Sequence, residues 1–205
     1  MLDMSDLTLP LPITGAVLAG GQSARMGTPK AGVLLPDGRP MIAHVLDALS
    51  AVCHQVVVIG HAGIALPDNI SVIPDQRSGL GPLAGLEALL ASKRDERYLV
   101  VSCDQPLLTP ELLYTLASQT PCSVPGFFRA IKLDPFPGVY PGHLLGDVQS
   151  ALDAGRLALH ACIRQWPVHW VAISPSEEQQ LHSMNTPADI DDLFKDQVKA
   201  RAIGR

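Results

Sequence analysis

The sequence is poor in several features that mark common classes of protein. Only 17% of its 205 residues are charged, and 20 acidic residues outnumber 15 lysines and arginines, for a formal charge of −5. That balance leaves no basic footprint for a nucleic-acid duplex or an anionic membrane. No apolar run reaches the ~18 residues that a membrane span needs. Four cysteines, Cys53, Cys103, Cys122 and Cys162, are scattered with no C-x-x-C pair. Their spacing argues against a zinc site or a disulfide framework and suits buried thiols in a reducing cytosol, so a cytoplasmic protein is expected. Residues 1–12 carry Asp3 and Asp6 and no basic segment. They read as a loose extension, not a secretory signal. Internal repeats and low-complexity stretches are absent, as is any Ser-His-Asp arrangement. His44, His61, His160, His169 and His182 read as structural histidines.

What is present is a chain that is 47% apolar and long enough to bury a real core. Short aliphatic runs alternate with helical periods. Ile13–Leu18, Val56–Ile59, Ile70–Ile73 and Tyr98–Ser102 read as buried strands. Ile42, Val45, Leu46 and Leu49 mark one face of a helix, and Leu83, Leu86, Leu89 and Leu90 a second that starts at Pro82. Thr109-Pro110-Glu111 starts a third, Leu144, Leu145, Val148 and Leu152 suit a fourth, and Thr186-Pro187-Ala188-Asp189 opens the last. Ile190, Leu193 and Phe194 are its inward positions. Residues 121–142, rich in proline and glycine, are expected to form loop and short strand. Aliphatic strands alternating with helices predict an α/β fold with a parallel sheet covered on both faces. The expected organisation is an extension over 1–12, a single domain over 13–196 and a tail over 197–205.

The first strand runs into Leu18-Ala19-Gly20-Gly21-Gln22-Ser23-Ala24-Arg25-Met26-Gly27-Thr28-Pro29-Lys30. Glycines let backbone N–H groups approach phosphate oxygens, and Arg25 and Lys30 offer charge to an anion. A glycine pair after a strand also serves simply to turn the chain. The spacing is not that of a P-loop, which places Lys-Ser/Thr directly after its second glycine. Ligands of open α/β sheets gather at the carboxyl ends of the strands. Gly20, Asp75 and Asp104 all fall at or just past such ends, which favours the phosphate reading. A polyphosphate bound for reaction usually brings Mg²⁺, held by one or two carboxylates. Asp104 in Val100-Val101-Ser102-Cys103-Asp104-Gln105-Pro106 is the first candidate, and Asp75 the second. Capping of a turn or of the next helix is the competing role for Asp104. Gly79-Leu80-Gly81-Pro82-Leu83-Ala84 satisfies the dinucleotide pattern G-x-G-x-x-A. Pro74 and Asp75 nevertheless separate it from its strand, whereas that fingerprint turns immediately out of one.

The loop, with Gly38-x-Pro40-Met41-Ile42-x-His44-Val45, resembles the signature of nucleotidyltransferases with a nucleotide-diphospho-sugar-transferase-like Rossmann fold, a three-layer α/β/α architecture around a mostly parallel sheet. Gly81-Pro82-Leu83-Ala84-Gly85-Leu86, Cys103-Asp104-Gln105-Pro106 and Asn185-Thr186-Pro187-x-Asp189 resemble the molybdenum cofactor guanylyltransferases within that group. The likeness runs from about residue 13 to 194. It implies transfer of GMP from GTP to molybdopterin, with Mg²⁺, to give the guanine dinucleotide cofactor and pyrophosphate. It further implies GTP contacts from Leu18, Ala19, Gly20, Gly21, Lys30, Asp75 and Asp104. Arg25, Lys30 and Asp104 are the implied catalytic residues, Asp104 the metal ligand, and Asn185 a substrate contact. A molybdoenzyme or another cofactor-biosynthesis protein is the implied partner. Two positions depart from the family pattern: Ile59 stands where members often have Asn, and Ser183 where many have the first Asn of Asn-x-Asn-Thr-Pro. The alternatives are a related enzyme using CTP or a sugar-phosphate acceptor, a nucleotide-binding module without catalysis, and a dinucleotide-dependent oxidoreductase.

Overall fold

The structure, a computed structural model, describes residues 10–19, 29–130 and 133–191. Among these a seven-stranded sheet runs in the order β3-β2-β1-β4-β6-β5-β7. The strands are β1 (Leu11–Leu18), β2 (Cys53–Ile59), β3 (Ser71–Ile73), β4 (Arg97–Ser102), β5 (Gly126–Arg129), β6 (Gly138–Pro141) and β7 (His169–Ala172). Helices α1 (Met41–Ser50), α2 (Pro82–Ala91), α3 (Pro110–Gln119), α4 (Leu145–Asp153), α5 (Leu159–Ile163) and α6 (Pro175–Glu178) connect them. β1, β2, β3 and β4 pair in parallel, whereas β6 is antiparallel to both β4 and β5. The sheet is therefore mixed, where the aliphatic runs alone predict a parallel one.

Side-chain alternation along the strands builds the three layers. Ile13 and Val17 of β1, Val58 of β2 and Val101 of β4 pack with α1 and α3 on one face. Ala16 and Leu18, Val57 and Ile59, and Tyr98 and Val100 pack with α2, α4 and α5 on the other. Continuous aliphatic runs suit strands covered on both sides in this way. β3 is the exception. It lies at the sheet edge with Val72 48% exposed, because an aliphatic run records what a strand is made of and not how many neighbours cover it.

The expected helix starts have physical causes that the structure displays. The Thr109 hydroxyl accepts from the Leu112 N–H at 3.4 Å, with Pro110 in the first turn of α3. Asp189 Oδ2 accepts from the N–H groups of Asn185 (2.7 Å) and Thr186 (2.8 Å), so a carboxylate closes the box at the start of the final helical turn. Burial of Ile190 fits its expected inward position, and Leu193 and Phe194 lie outside the described residues. Cys53, Cys103 and Cys162 are buried as expected, but Cys122 is exposed on the α3–β5 connection. Of the five histidines read as structural, His61, His160 and His182 are exposed. His44 faces Asp37 at 3.2 Å, off line for a hydrogen bond.

Candidate functional site

Register places the site. Leu18 pairs with Ile59 and with Ser102, and Ile59 pairs with Ile73, so these four residues form one row across the carboxyl ends of β3, β2, β1 and β4. Asp75 and Asp104 each lie two residues beyond that row. Three inter-strand spacings separate their strands, about 14 Å. The two carboxylates thus stand at opposite ends of one rim instead of sharing a single metal. Gly20, Gly21 and Arg25, predicted at this rim, lie outside the described residues.

At the β4 end, Asp104 is buried and its Oδ2 accepts from Lys30 Nζ at 2.9 Å. Lys30 Nζ also donates to Asn185 Oδ1 at 2.6 Å, so one ammonium joins residues 155 positions apart in the chain. Each partner is fixed from behind. The Asp104 carbonyl accepts from the Met184 N–H at 2.7 Å, and Cys103 N–H donates to the Leu18 carbonyl at 3.1 Å. Asp189 holds the Asn185 backbone, and those two N–H groups keep its carboxyl below the usual carboxylate range. Met184 and Ile190 pack with Leu35 and Met41 in a small apolar cluster, tying the segment after Lys30 to the segment bearing Asn185. Among the described residues, Asp104 Oδ1 is buried with no hydrogen-bond partner. An unpartnered buried carboxylate oxygen is costly and in a native site demands an explanation.

At the β3 end, Asp75 is half-buried, and burial raises its carboxyl above the ordinary value. It lies over the first turns of α2. A Cβ placed on Gly85 would meet Leu18 Cδ2 at 2.7 Å, Ile59 Cγ2 at 3.2 Å and Asp75 Oδ1 at 3.6 Å. Glycine at position 85 is what lets Leu18 and Asp75 share this wall. Ile59 is fully buried beneath it. At this departure from the family pattern the side chain packs the core. Gly79 (φ +82°) and Gly81 (φ +76°) occupy left-handed conformations in the loop leading to α2. The G-x-G-x-x-A stretch thus turns at the end of a loop over residues 74–81 and not directly out of a strand.

A cavity of about 590 Å³ opens beyond β4, on the β6–β5 side of the sheet. The reversal of β6 brings the loop before it to the same rim as the carboxyl ends of β4 and β5. Leu133 and Pro135 of that loop, His160 and Arg164 from α5 and its C-cap, and Leu181 and His182 after α6 line the cavity. The Gln105 side-chain amide donates to the carbonyls of Phe136 (2.8 Å) and Leu181 (3.1 Å), bracing these walls against the residue next to Asp104. His182 is three residues from Asn185, so the cavity ends within about 10 Å of the Lys30 ammonium's partner.

Sequence reasoning selected Lys30, Asp75, Asp104, Asn185, Leu18 and Ala19, and the structure gathers all six at this rim. It did not find the cavity residues, the Lys30–Asn185 bond, or the role of Asp189 behind Asn185. The Thr-Pro-x-Asp start was a legible signal for the last of these.

A sequence model of the MobA-like NTP transferase domain matches residues 15–169. A probable molybdenum cofactor guanylyltransferase of Pelotomaculum thermopropionicum is 33% identical over 210 residues, covering 94% of each chain. Another, of Rhodopirellula baltica, is 31% identical and covers 90% of this chain and 93% of that protein. The crystal structure of molybdopterin-guanine dinucleotide biosynthesis protein A from Archaeoglobus fulgidus has the same fold, with a TM-score of 0.73 at 21% identity, over 91% of this chain and all of that one. With the matching model running from β1 to the first residue of β7, and relatives above 30% identity covered almost end to end, the chain belongs to the MobA-like NTP transferase family and is a nucleotidyltransferase.

Proposed function

We propose that the protein transfers GMP from GTP to molybdopterin, forming molybdopterin guanine dinucleotide and pyrophosphate. The observation that carries this reading is Asp104, a buried carboxylate at the rim with one oxygen on Lys30 and, among the described residues, no partner for the other. Among the described residues no group of three potential metal ligands occurs. A single carboxylate with a spare oxygen is nonetheless the donor set of an ion that takes its remaining ligands from phosphate and water, as Mg²⁺ does. Bound there, Mg²⁺ would neutralise charge on the phosphate oxygens during transfer.

The chain's own residues do the rest. Asp75 presents a carboxylate to the two N–H donors on the Watson–Crick edge of guanine, at the wall it shares with Leu18 over Gly85, and Ala19 follows Leu18 at the end of β1. The glycine loop, Gly20 and Gly21, and the cations Arg25 and Lys30 hold the triphosphate. Leu133, Pro135 and Leu181 give the cavity an apolar lining for the pterin, while Arg164, His160 and His182, with Asp134 and Glu178 beside them, offer its polar groups donors and acceptors. Asn185 and Lys30 stand where the acceptor phosphate meets the nucleotide. An oxygen of that phosphate forms a bond to the α-phosphorus as the bond from the α-phosphorus to its bridging oxygen breaks. Pyrophosphate departs with the electron pair, its charge taken up by Lys30 and Arg25. A phosphate monoester dianion is itself the nucleophile and needs no general base. The catalytic unit is residues 13–196, acting in the cytoplasm and handing its product to a molybdoenzyme.

The test is pyrophosphate release from each of the four nucleoside triphosphates with Mg²⁺ and molybdopterin. Release with GTP supports the reading, and release with CTP alone overturns the base assignment. Asp104→Ala is expected to lower turnover at least ~100-fold, about 3 kcal/mol of transition-state stabilisation, with the thermal midpoint preserved. Near-normal turnover in that variant would remove Asp104 from the metal site.

A further inference from the structure

Helix α2 is apolar along nearly its whole length, Pro82-Leu83-Ala84-Gly85-Leu86-Glu87-Ala88-Leu89-Leu90-Ala91, with one charge in the middle. Glu87 is 1% exposed. Among the described residues the cation at ion-pair distance is Arg77, whose Nε lies 3.1 Å from Glu87 Oε2, slightly off line for a hydrogen bond. The same guanidinium donates from Nη1 to Asp153 Oδ1 at 2.6 Å, at the last residue of α4. Arg77 sits in the loop over residues 74–81, two residues after Asp75. It therefore fastens the loop to two helices at once.

The energetics make this fastening more than a surface contact. Exposed ion pairs contribute little, but a buried carboxylate that loses its partner leaves an uncompensated charge in the interior. Any excursion of the loop that withdraws Arg77 incurs that cost, so the buried Glu87 resists it. The two glycines at positive φ, Gly79 and Gly81, have open space around them and offer little resistance of their own. Without Arg77, the segment between Ile73 and Pro82 would be free to swing, carrying Asp75 away from the Leu18–Gly85 wall.

We propose that Arg77, clamped between Glu87 and Asp153, is a positioning residue for the nucleotide: it fixes the 74–81 loop so that Asp75 faces the base. The inference rests on the reading of Asp75 as a nucleotide contact. It gives binding of the donor a control point in Arg77 and its two carboxylate partners, which stand apart from the residues read as substrate contacts. Arg is suited to the task because its planar fork reaches two carboxylates at once, whereas a lysine can engage either as a point charge.

The experiment uses the full chain with Mg²⁺, GTP and molybdopterin, and calorimetric titration of GTP. Arg77→Met is expected to raise KM and Kd for GTP at least ~10-fold, with kcat within ~3-fold and KM for the acceptor unchanged. Arg77→Lys is expected to recover part of that loss. Asp153→Asn, on an exposed side chain, keeps the buried pair and is expected to cost GTP affinity a few-fold at most. The decisive comparison is the double variant with Asp75→Asn. If Arg77 acts through Asp75, Arg77→Met adds less than ~3-fold once Asp75 is gone. Full additivity of the two losses, or GTP affinity within twofold of the parent in Arg77→Met, overturns the clamp while leaving the nucleotide site intact. Failure of the underlying reading looks different: the parent protein fails to bind GTP, or Asp75→Asn binds it as tightly as the parent.

Discussion

Burial raises the Asp75 carboxyl above its ordinary value of 3.8, so the folded chain holds that proton more tightly than the unfolded one. Linkage then fixes the sign. Below about 3.8 both states are protonated and the residue is neutral for stability. As pH rises through the elevated folded value, ionisation is harder in the folded state, and stability is lost and stays lost at neutral pH. Asp75→Asn should therefore melt higher than the parent protein at pH 7.5, with the gap shrinking as the pH is lowered toward 4. Thermal melts across that range check the expectation, and a gap independent of pH would contradict it. On the proposed role of Asp75 as a nucleotide contact, the same variant should lose GTP affinity while gaining stability. Cys53 and Cys103 show the opposite use of burial. Their thiols are pushed up to about 12 by desolvation, which makes them inert packing groups.

Elements meet at positions where one atom decides the fit. The C-cap of α3 is Thr120, whose hydroxyl donates to the Leu116 carbonyl at 2.7 Å and whose side chain lies directly against the first residue of β5. A Cβ on Gly126 would overlap the Thr120 side chain. Gly126→Ala should therefore destabilise the protein by about 1–3 kcal/mol, read as a lower urea midpoint with an unchanged slope. This junction was not legible in the sequence, where residues 121–142 show only a run of prolines and glycines. β1, β2 and β4 were legible because strands covered on both faces must be aliphatic throughout. β5 and β7 are four residues each, too short for any period to appear. The Ser174-x-x-Glu177 capping box of α6 was present in the sequence, with Glu177 Oε2 accepting from the Ser174 N–H at 2.8 Å. No apolar run follows it, so the sequence pattern alone does not mark this four-residue helix. In the site, Lys30 and Asp104 could be chosen by charge and position. Their mutual contact could not, because it depends on β1 and β4 being neighbours. A lone glutamate in the apolar run of α2 was the one available sign of a buried pair, yet its partner lies ten residues upstream in a loop with no pattern of its own.

For the molecule as a whole, the rim joins segments from most of the chain: Lys30, Asp75, Asp104 and Asn185 follow four different elements. A ligand that touches them together binds only the folded state. GTP with Mg²⁺ at 100 times its Kd should add ~2.7 kcal/mol to stability, which for a chain of this size raises the melting temperature by about 5–11 °C. Differential scanning fluorimetry measures that shift. Its absence at saturating concentration would mean that GTP does not bind the rim.

The backward run of β6 has a consequence of its own. Strands that all point one way offer a rim only the loops that leave them, each committed to starting the next covering helix. A strand entering from the rim contributes a loop under no such obligation, and residues 133–137 form one here beside the end of β4. On the function proposed above, the sheet is thereby divided into a half that keeps what is donated constant and a half whose walls can be rewritten to suit what receives it. New acceptors could be accommodated by sequence change around positions 130–135 and 160–182 alone, leaving the first four strands untouched.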